Sequence, residues 1–170
     1  MDFKERLREI PDWPKEGINF IDITTLVKDG QVFKKAIADM AAPFRGQGID
    51  LVVGPEARGF LIGAPLAYEL GAGFVPLRKP GKLPAETAQV QYQLEYGSDS
   101  LEIHQDAIKP GQKVIIADDL LATGGTIAGT VKLVEELGGK ILGISFLVEL
   151  TFLNGKGKLG GHPVYSLVQY

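Results

Sequence analysis

The sequence predicts a single α/β domain with a mostly parallel central sheet flanked by helices. Two observations carry this prediction: short continuous apolar runs typical of buried strands, and segments with helical i, i+4 spacing that alternate with them. Alternation of this kind produces right-handed βαβ units and a sheet covered on both faces. The length of 170 residues suits one domain with a sizeable core.

Each predicted element rests on a local pattern. Apolar runs bounded by turn residues predict strands over residues 49–53, 73–79, 113–117, 141–150 and 163–170. Apolar residues at helical spacing predict helices over residues 2–9, 31–45, 60–70 and 127–137. Proline and glycine punctuate residues 11–26, which are predicted as a loop. Residues 86–104 favour β or irregular structure because Tyr92, Leu94 and Tyr96 alternate with polar residues.

Composition narrows the class of protein. The net charge is −3, so no overall basic surface points to a nucleic-acid partner. Cysteine is absent, which excludes disulfides and thiol chemistry and favours a cytosolic setting. The start, MDFKERLREI, is charged throughout and predicts no signal peptide. No apolar run reaches the roughly 20 residues needed to span a bilayer. We therefore expect a cytoplasmic protein without a membrane partner.

The segment VIIADDLLATGGT, residues 114–126, combines a predicted strand, two acids and a glycine-rich loop. Residues 123–126 fall at the start of the next predicted helix, where free N–H groups and the helix dipole favour a phosphate. A threonine cap in a plain turn explains the same residues equally well. Asp118 and Asp119 suit paired sugar hydroxyls, or they complement the charge of a helix N-terminus. The two halves together predict a ribose 5-phosphate ligand.

Two common nucleotide-binding patterns are missing from the sequence. GPEARGF, residues 54–60, has the glycine spacing of a P-loop, but Phe60 stands where that motif requires lysine. The Rossmann pattern GxGxxG does not occur. These departures argue against an ATPase and against a dinucleotide-dependent dehydrogenase.

Three chemically unusual loops follow predicted strands: GPEARG (54–59), RKPGKLP (78–84) and ADDLLATGGT (117–126). The carboxyl ends of parallel strands share one edge of the sheet, so we expect these loops to converge there. The three cations of RKPGK suit a ligand with several negative charges. Taken alone, the same loop would be interpreted by default as a solvated basic surface.

The segment VIIADDLLATGGT resembles the 5-phosphoribosyl 1-diphosphate (PRPP) binding motif of type I phosphoribosyltransferases, and DDLLATGGT is similar to the branch that acts on adenine. Four other segments resemble that branch in order and spacing, so the resemblance covers nearly the whole chain. They are PDWPKEGINFIDIT (11–24), GPEARGF (54–60), VPLRKPGKLP (75–84) and YQLEYGSDSLEIH (92–104).

The resemblance implies a type I phosphoribosyltransferase fold, with a small N-terminal hood over residues 1–30 and a flexible flap over residues 84–104. It implies transfer of the phosphoribosyl group from PRPP to N9 of adenine, which gives AMP and pyrophosphate in purine salvage. The implied cofactor is Mg²⁺, held mainly by PRPP and water and not by a dedicated protein site. The implied assembly is a homodimer.

The resemblance also implies roles for individual residues. Asp118 and Asp119 are expected to hold the ribose hydroxyls. The residues expected to bind the 5′-phosphate are Ala122, Thr123, Gly124, Gly125 and Thr126. Those expected to bind pyrophosphate are Arg58, Arg78, Lys79, Lys82 and Tyr96. Arg58 and Glu95 are the candidate catalytic residues, with Glu95 placed for proton transfer at the base.

The base site is expected to be lined by Phe20 and Leu120, which match family positions on either side of the flat purine. Main-chain groups of Asn19 and Ile21 would then read the adenine edge. Ile21 departs from the family pattern, because many members have arginine or lysine there, so any side-chain contribution is lost. Phe20 on its own would also fit an ordinary core aromatic.

Two alternatives remain open from the sequence. One is a regulatory protein that senses purine or PRPP; it should lack the flap carboxylate or the pyrophosphate cations, and this chain has both. The other is a phosphoribosyltransferase for a different base, although no lysine near Phe20 or Leu120 is available for an exocyclic oxygen. Glu56 is expected to form a structural ion pair with Arg58.

Overall fold

The structure, a computed structural model, describes residues 1–94 and 97–170. Its centre is a five-stranded sheet in which every neighbouring pair of strands is parallel. The strands lie in the order β4-β3-β7-β8-β9, and they are β3 (Leu51–Pro55), β4 (Gly73–Leu77), β7 (Lys113–Leu121), β8 (Lys140–Glu149) and β9 (Val164–Gln169). The predicted α/β class with a mostly parallel sheet is confirmed.

Helices and two antiparallel hairpins surround this sheet. The helices are α1 (Thr24–Val27), α2 (Gly30–Ala41), α3 (Arg58–Leu70) and α4 (Gly125–Glu136). One hairpin joins β1 (Arg8–Ile10) to β2 (Phe20–Asp22), and the other joins β5 (Thr87–Leu94) to β6 (Gly97–His104). Short 3-10 turns occupy Lys4–Arg6, Ala42–Phe44, Thr151–Leu153 and Gly155–Lys158.

Strand β7 explains the continuous apolar run in the sequence. Ile115 and Ala117 belong to a core shared with α2 and α3, whereas Val114 and Ile116 belong to a core shared with α4 and the β5–β6 hairpin. All four residues are fully buried. A central strand covered on both faces has no solvent side, so its residues do not alternate between apolar and polar.

The same strand extends further than predicted. It was expected to end at Ala117, with Asp118 and Asp119 in the following loop, but it continues to Leu121. Pairing with β8 holds the extension, as Leu120 faces Val148 and Leu121 faces Glu149. The two acids therefore sit on a strand with fixed side-chain directions, which local sequence signals did not indicate.

The N-terminal prediction was wrong. Residues 2–9 form a 3-10 turn and strand β1 instead of a helix, and residues 11–26 contain β2 and α1 instead of loop alone. Strand β1 pairs with β2 from Arg8–Asp22 to Ile10–Phe20. This pairing links residues that are distant in the chain, so tertiary contacts override the helical spacing of a short charged segment.

The β5–β6 hairpin covers α4. Val90 and Tyr92 pack so closely on Gly129 that a Cβ there would stand 3.2 Å and 3.3 Å from their side chains. The hairpin supplies most of the segment predicted as a flap, residues 84–104. Its described strands lie next to the N-terminal end of α4, where the glycine-rich loop begins.

Candidate active site

A cavity of about 450 Å³ opens at the carboxyl ends of β3 and β7. Two of the three predicted loops line it, the loop after β3 and the loop after β7. The lining residues that the sequence had singled out are Arg58, Asp118, Asp119, Leu120, Ala122, Thr123, Gly124, Gly125 and Thr126. Ligands of open parallel sheets bind at this edge, so the cavity is the candidate active site.

The glycine-rich loop is built so that backbone reaches the cavity. Gly124 is left-handed, with φ of +86°, and it precedes α4 without any capping side chain among the described residues. A Cβ at Gly124 would stand 2.6 Å from the carbonyl oxygen of Gly155, and one at Gly125 would stand 2.7 Å from that of Gln93. Only glycine fits both positions, and the first N–H groups of α4 are left for an anion.

The acid pair occupies two different environments. Asp119 is almost fully buried, and its Oδ2 lies 2.9 Å from Nε of Arg58. This contact is an ion pair without hydrogen-bond alignment, since Oδ2 accepts no hydrogen bond within the described residues. Asp118 accepts a hydrogen bond from the backbone N–H of Asp119 at 2.8 Å. It also packs on Gly59, where a Cβ would be 3.0 Å from its Oδ1.

The crowding of negative charge affects the ionisation of Asp118. Burial raises the pKa of this carboxyl well above its usual range, and the neighbouring charge of Asp119 raises the pKa further. The Arg58 guanidinium lowers the pKa of Asp118, but its effect is smaller than those of burial and of Asp119. Two adjacent acids at a cavity wall, one buried and one partly buried, are costly to the fold, which is typical of residues kept for binding.

Arg58 also connects the cavity with the hood. Its Cζ lies 5.3 Å from the centroid of the Phe20 ring, within cation–π range. Phe20 in turn meets Trp13 edge to face, with ring centroids 4.7 Å apart. The structure thereby brings Phe20 close to Arg58, and Arg58 lines the cavity together with Leu120.

The neighbours of Phe20 face other partners. Ile21 is buried in the core shared with α2 and α3, so its side chain packs as an ordinary core residue. Asn19 donates a side-chain hydrogen bond to Glu9 at 2.8 Å. The side chains of both residues thus contact other parts of the chain, and Ile21 pairs with Glu9 in the β1–β2 hairpin.

The cations of the third loop do not line the cavity but stand beside it. Arg78 Nε lies 3.3 Å from Glu56, and Lys82 Nζ lies 3.5 Å from the same carboxylate. The expected ion pair between Glu56 and Arg58 was wrong, because the chain turns between them and Arg58 faces Asp119. Glu56 therefore links the loop after β3 to the cation loop, residues 78–82.

Lys79 points to the flap instead. Its Nζ pairs with Asp99 on β6 and lies 3.4 Å from the hydroxyl of Tyr92. All four cations predicted to hold pyrophosphate thus have a carboxylate partner in the described part of the chain. Glu95 and Tyr96, the predicted flap residues, lie outside the described residues.

Sequence reasoning missed the turn after β8. Gly155 lies against the glycine-rich loop, where an added Cβ would stand 2.4 Å from the carbonyl oxygen of Ala122 and 2.9 Å from Leu121. The local sequence NGKGK indicates only a turn. The role of this glycine in supporting the loop comes from a contact across more than 30 residues, for which no short-range signal exists.

The acidic residues of the site suit a metal ion that is coordinated mostly by oxygens of the substrate and of water. Within residues 1–94 and 97–170, no group of three or more histidine, cysteine, aspartate or glutamate side chains could hold a metal. The acidic residues that line the cavity are Glu56, Asp118 and Asp119, and the buried Oδ2 of Asp119 accepts no hydrogen bond within the described residues. Mg²⁺ that keeps water and substrate oxygens as ligands fits this set. No helix in the same residues is long and apolar enough to cross a membrane.

A sequence profile described as the phosphoribosyl transferase domain matches residues 24–159, most of the chain. The chain belongs to the phosphoribosyltransferase family. The match includes all three loops and the cavity that two of them line. The resemblance inferred from VIIADDLLATGGT and four other segments is confirmed.

Similar proteins within the family are named for one activity. The chain is 59% identical to an adenine phosphoribosyltransferase of Brevibacillus brevis over 170 residues, which cover all of both chains. The crystal structure of adenine phosphoribosyltransferase from Thermoanaerobacter pseudethanolicus matches with a TM-score of 0.95 and 59% identity, over 99% of this chain and 98% of the other.

A structure with ligands is also similar. Adenine phosphoribosyltransferase from Saccharomyces cerevisiae, complexed with adenine and an imino-altritol bisphosphate, matches with a TM-score of 0.92 and 45% identity. The match covers 97% of this chain and 96% of the yeast chain. Full-length similarity of this degree places the chain in the type I phosphoribosyltransferase fold, as the sequence predicted.

Proposed function

We propose that the chain transfers the phosphoribosyl group of PRPP to N9 of adenine, giving AMP and pyrophosphate. One observation carries this proposal: an anion cradle at Gly124 and Gly125 and an acid pair at Asp118 and Asp119 share a single cavity. A ribose 5-phosphate is a ligand that uses both features at once. Full-length relatives named adenine phosphoribosyltransferase support adenine as the base.

The sugar and its phosphate bind along β7 and its loop. Residues 122–126 hold the 5′-phosphate through the N–H groups at the start of α4. Asp118 and Asp119 accept hydrogen bonds from the ribose hydroxyls. Burial and the neighbouring charge of Asp119 raise the pKa of Asp118, and hydroxyls that donate to this carboxylate would favour its charged form.

Adenine lies between Phe20 and Leu120, with main-chain groups of Asn19 and Ile21 at its edge. The support for this part is the position of Phe20 beside Arg58 and of Leu120 on the cavity wall. The buried side chain of Ile21 is consistent with recognition through the backbone alone. Adenine recognition therefore does not need the basic residue found at this position in many members.

The leaving group is held by Arg58, Arg78, Lys79 and Lys82, with Tyr96 as a flap contact. The bond from C1′ to the diphosphate oxygen breaks while N9 forms its bond to C1′, and the electron pair of the broken bond leaves with pyrophosphate. Mg²⁺, when bound, would supply charge neutralisation on the diphosphate oxygens. The four cations offset the remaining charge of the diphosphate.

Proton transfer and exclusion of water are assigned to the flap, residues 84–104. Glu95 takes the proton that N9 of adenine loses, which is worth roughly 10²–10⁴-fold in rate for a positioned acid or base. The β5–β6 hairpin lies against α4 at Gly125 and Gly129, so closure over the cavity keeps water from the reacting C1′.

The assembly is a homodimer in the cytoplasm. Helix α3 supports the dimer because Leu61 and Tyr68 are exposed large apolar side chains two turns apart, with Tyr68 90% exposed. This helix begins at Arg58, so a partner on its outer face would lie close to the site. Sedimentation or size-exclusion measurements that give the monomer mass would contradict the dimer.

The direct test is formation of AMP from adenine and PRPP with Mg²⁺. Turnover with adenine should exceed turnover with hypoxanthine, guanine, xanthine or orotate by several orders of magnitude. A protein that binds PRPP without turnover would be a sensing protein, and turnover of another base would change the substrate. Either result would overturn the proposal.

A further inference from the structure

Glu56 occupies a position that the proposed reaction does not use. It follows the last residue of β3, and its backbone N–H donates to the carbonyl oxygen of Leu77 at 2.9 Å. Its carboxylate is largely enclosed, with 13% of the side chain exposed. Glu56 therefore joins the loop that begins with it to the end of β4, from which the cation loop 78–82 departs.

The carboxylate of Glu56 holds the backbone of the cation loop. Its Oε1 accepts a hydrogen bond from the backbone N–H of Lys79 at 2.7 Å and another from Nε of Arg78 at 3.3 Å. Its Oε2 lies 3.5 Å from Nζ of Lys82. One side chain thus contacts both ends of a loop that carries three of the predicted pyrophosphate cations.

A second carboxylate completes the support of this loop. Glu102 on β6 accepts a hydrogen bond from the N–H of Gly81 at 3.2 Å through Oε2. The backbones of Glu102 and Arg78 also exchange two hydrogen bonds, at 2.7 Å and 3.0 Å. The cation loop is therefore held from two sides, and Glu56 connects it to the segment that carries Arg58.

Glu56 remains ionised in this setting. Burial raises its pKa, but the Lys79 N–H and the charges of Lys82 and Arg78 outweigh burial, so the pKa lies below its usual value. A carboxylate next to a pyrophosphate site would repel the ligand if charge were its only effect. Because Glu56 instead accepts hydrogen bonds from two donors of the cation loop, its role is to position that loop and not to attract the ligand.

We propose that Glu56 is a positioning residue that sets the distance between Arg58 and the cations of loop 78–82, so that both sides of the diphosphate are gripped together. The inference rests on the proposed function. Glu56 lies two residues before Arg58, and it accepts directly from the Lys79 backbone, so its side chain couples the two cation-bearing segments. Phosphate groups held from two sides are sensitive to shifts of about 1 Å.

Three variants of Glu56 separate the effect of side-chain length from the effect of charge. Glu56→Gln keeps an oxygen acceptor for Lys79 and Arg78 but removes the charge. Glu56→Asp keeps the charge but shortens the side chain by one methylene, and Glu56→Ala removes both. Glu69→Ala is the matched control, because Glu69 makes an exposed ion pair with Arg45 that involves no predicted site residue.

The measurements are the KM values for PRPP and for adenine, together with calorimetric binding of pyrophosphate in the presence of Mg²⁺. We expect Glu56→Ala and Glu56→Asp to raise the KM for PRPP and weaken pyrophosphate binding roughly tenfold, with the KM for adenine unchanged. Glu56→Gln and Glu69→Ala should stay within about threefold of the wild type.

Each other outcome counts against the proposal. Tighter pyrophosphate binding in both Glu56→Gln and Glu56→Ala would show that the charge merely repels the ligand. Equal changes in the two KM values, or a fall in melting temperature alone, would show a general structural role. If Glu56→Ala does not fold, Glu56→Asp gives the decisive comparison with Glu56→Gln. If the wild-type protein shows no turnover, the proposed reaction is wrong, but the calorimetry of pyrophosphate binding would still test the role of Glu56.

Discussion

Nε of Arg58, the first residue of α3, lies 2.9 Å from Oδ2 of the buried Asp119 on β7, although the two residues are 61 positions apart in the chain. The pair holds the first turn of α3 against the end of β7. Asp119 is 4% exposed, and the Arg58 guanidinium is the cation that lies beside it. The same guanidinium faces the Phe20 ring, which places it between Asp119 and Phe20.

Replacing Arg58 should therefore damage catalysis more than stability. We expect Arg58→Gln to lower kcat/KM for PRPP by roughly 10²-fold or more, the usual effect of removing a donor to developing negative charge. Arg45→Gln removes an exposed ion pair with Glu69 and should leave the rate unchanged. Steady-state kinetics at saturating adenine measures both, and a wild-type rate for Arg58→Gln would contradict the role of Arg58.

Asp118→Asn should stabilise the protein while reducing its activity. The folded-state pKa of Asp118 is raised above its ordinary value of 3.8, so the folded protein binds more protons than the unfolded chain and stability falls as pH rises. Removing the charge should add about 0.5–2 kcal/mol to the free energy of unfolding at neutral pH. It should also lower kcat/KM for PRPP about tenfold or more through the lost charged acceptor.

Urea unfolding of Asp118→Asn at several pH values is the measurement. The stability gained by the variant should widen as pH rises from about 4, because wild-type Asp118 is neutral in both states at lower pH. Asp39→Asn serves as a control, since Asp39 makes a partly exposed i, i+4 pair with Lys35 that involves no predicted site residue. A variant less stable than the wild type at neutral pH would overturn this account.

Gly155→Ala should disturb the phosphate cradle from behind. Its new methyl group would overlap the carbonyl oxygen of Ala122, at 2.4 Å, so the loop must move. We expect about 1–3 kcal/mol of destabilisation and a raised KM for PRPP. Gly157→Ala is the control two residues later, where a Cβ would meet only the Asn154 side chain at 3.6 Å or more. Similar effects of both changes on melting temperature and KM would argue against the contact.

Asp22 should stabilise the hood in a pH-dependent way. Hydrogen bonds from Thr24, and then from Arg8 at 2.9 Å, lower the pKa of Asp22 to about 2. A depressed folded-state pKa stabilises the protein above the unfolded value of 3.8, and this stabilisation is lost as pH falls from 3.8 towards 2. Because Arg8 is 58% exposed, we expect Asp22→Asn to cost only about 1–2 kcal/mol at neutral pH.

Thermal unfolding of Asp22→Asn between pH 2 and 7 checks this prediction. The difference from the wild type should be constant above about pH 5 and should shrink towards zero near pH 2. A difference that does not change with pH would assign the effect to packing at β1–β2 and not to the carboxylate charge. The exposed Asp39→Asn change again provides the comparison.

The fold class was readable from sequence because buried parallel strands and helices leave strong local patterns. The run KVIIA and the helical spacing after TGGT both appear in the structure as β7 and α4. The N-terminal segment was not readable, since three residues of β1 gain their structure only from pairing with β2. Short elements have little local preference of their own, and distant partners determine them.

By itself, the sequence determined the parallel α/β fold, the glycine-rich loop ahead of a helix, and the family to which those motifs belong. Only the tertiary structure decided the partners of the charges: Arg58 with Asp119, Glu56 with Arg78 and Lys82, and Lys79 with Asp99. It also placed Gly155 behind the loop. Local patterns depend on neighbours along the chain, whereas ion pairs and close backbone contacts depend on which strand ends meet in space.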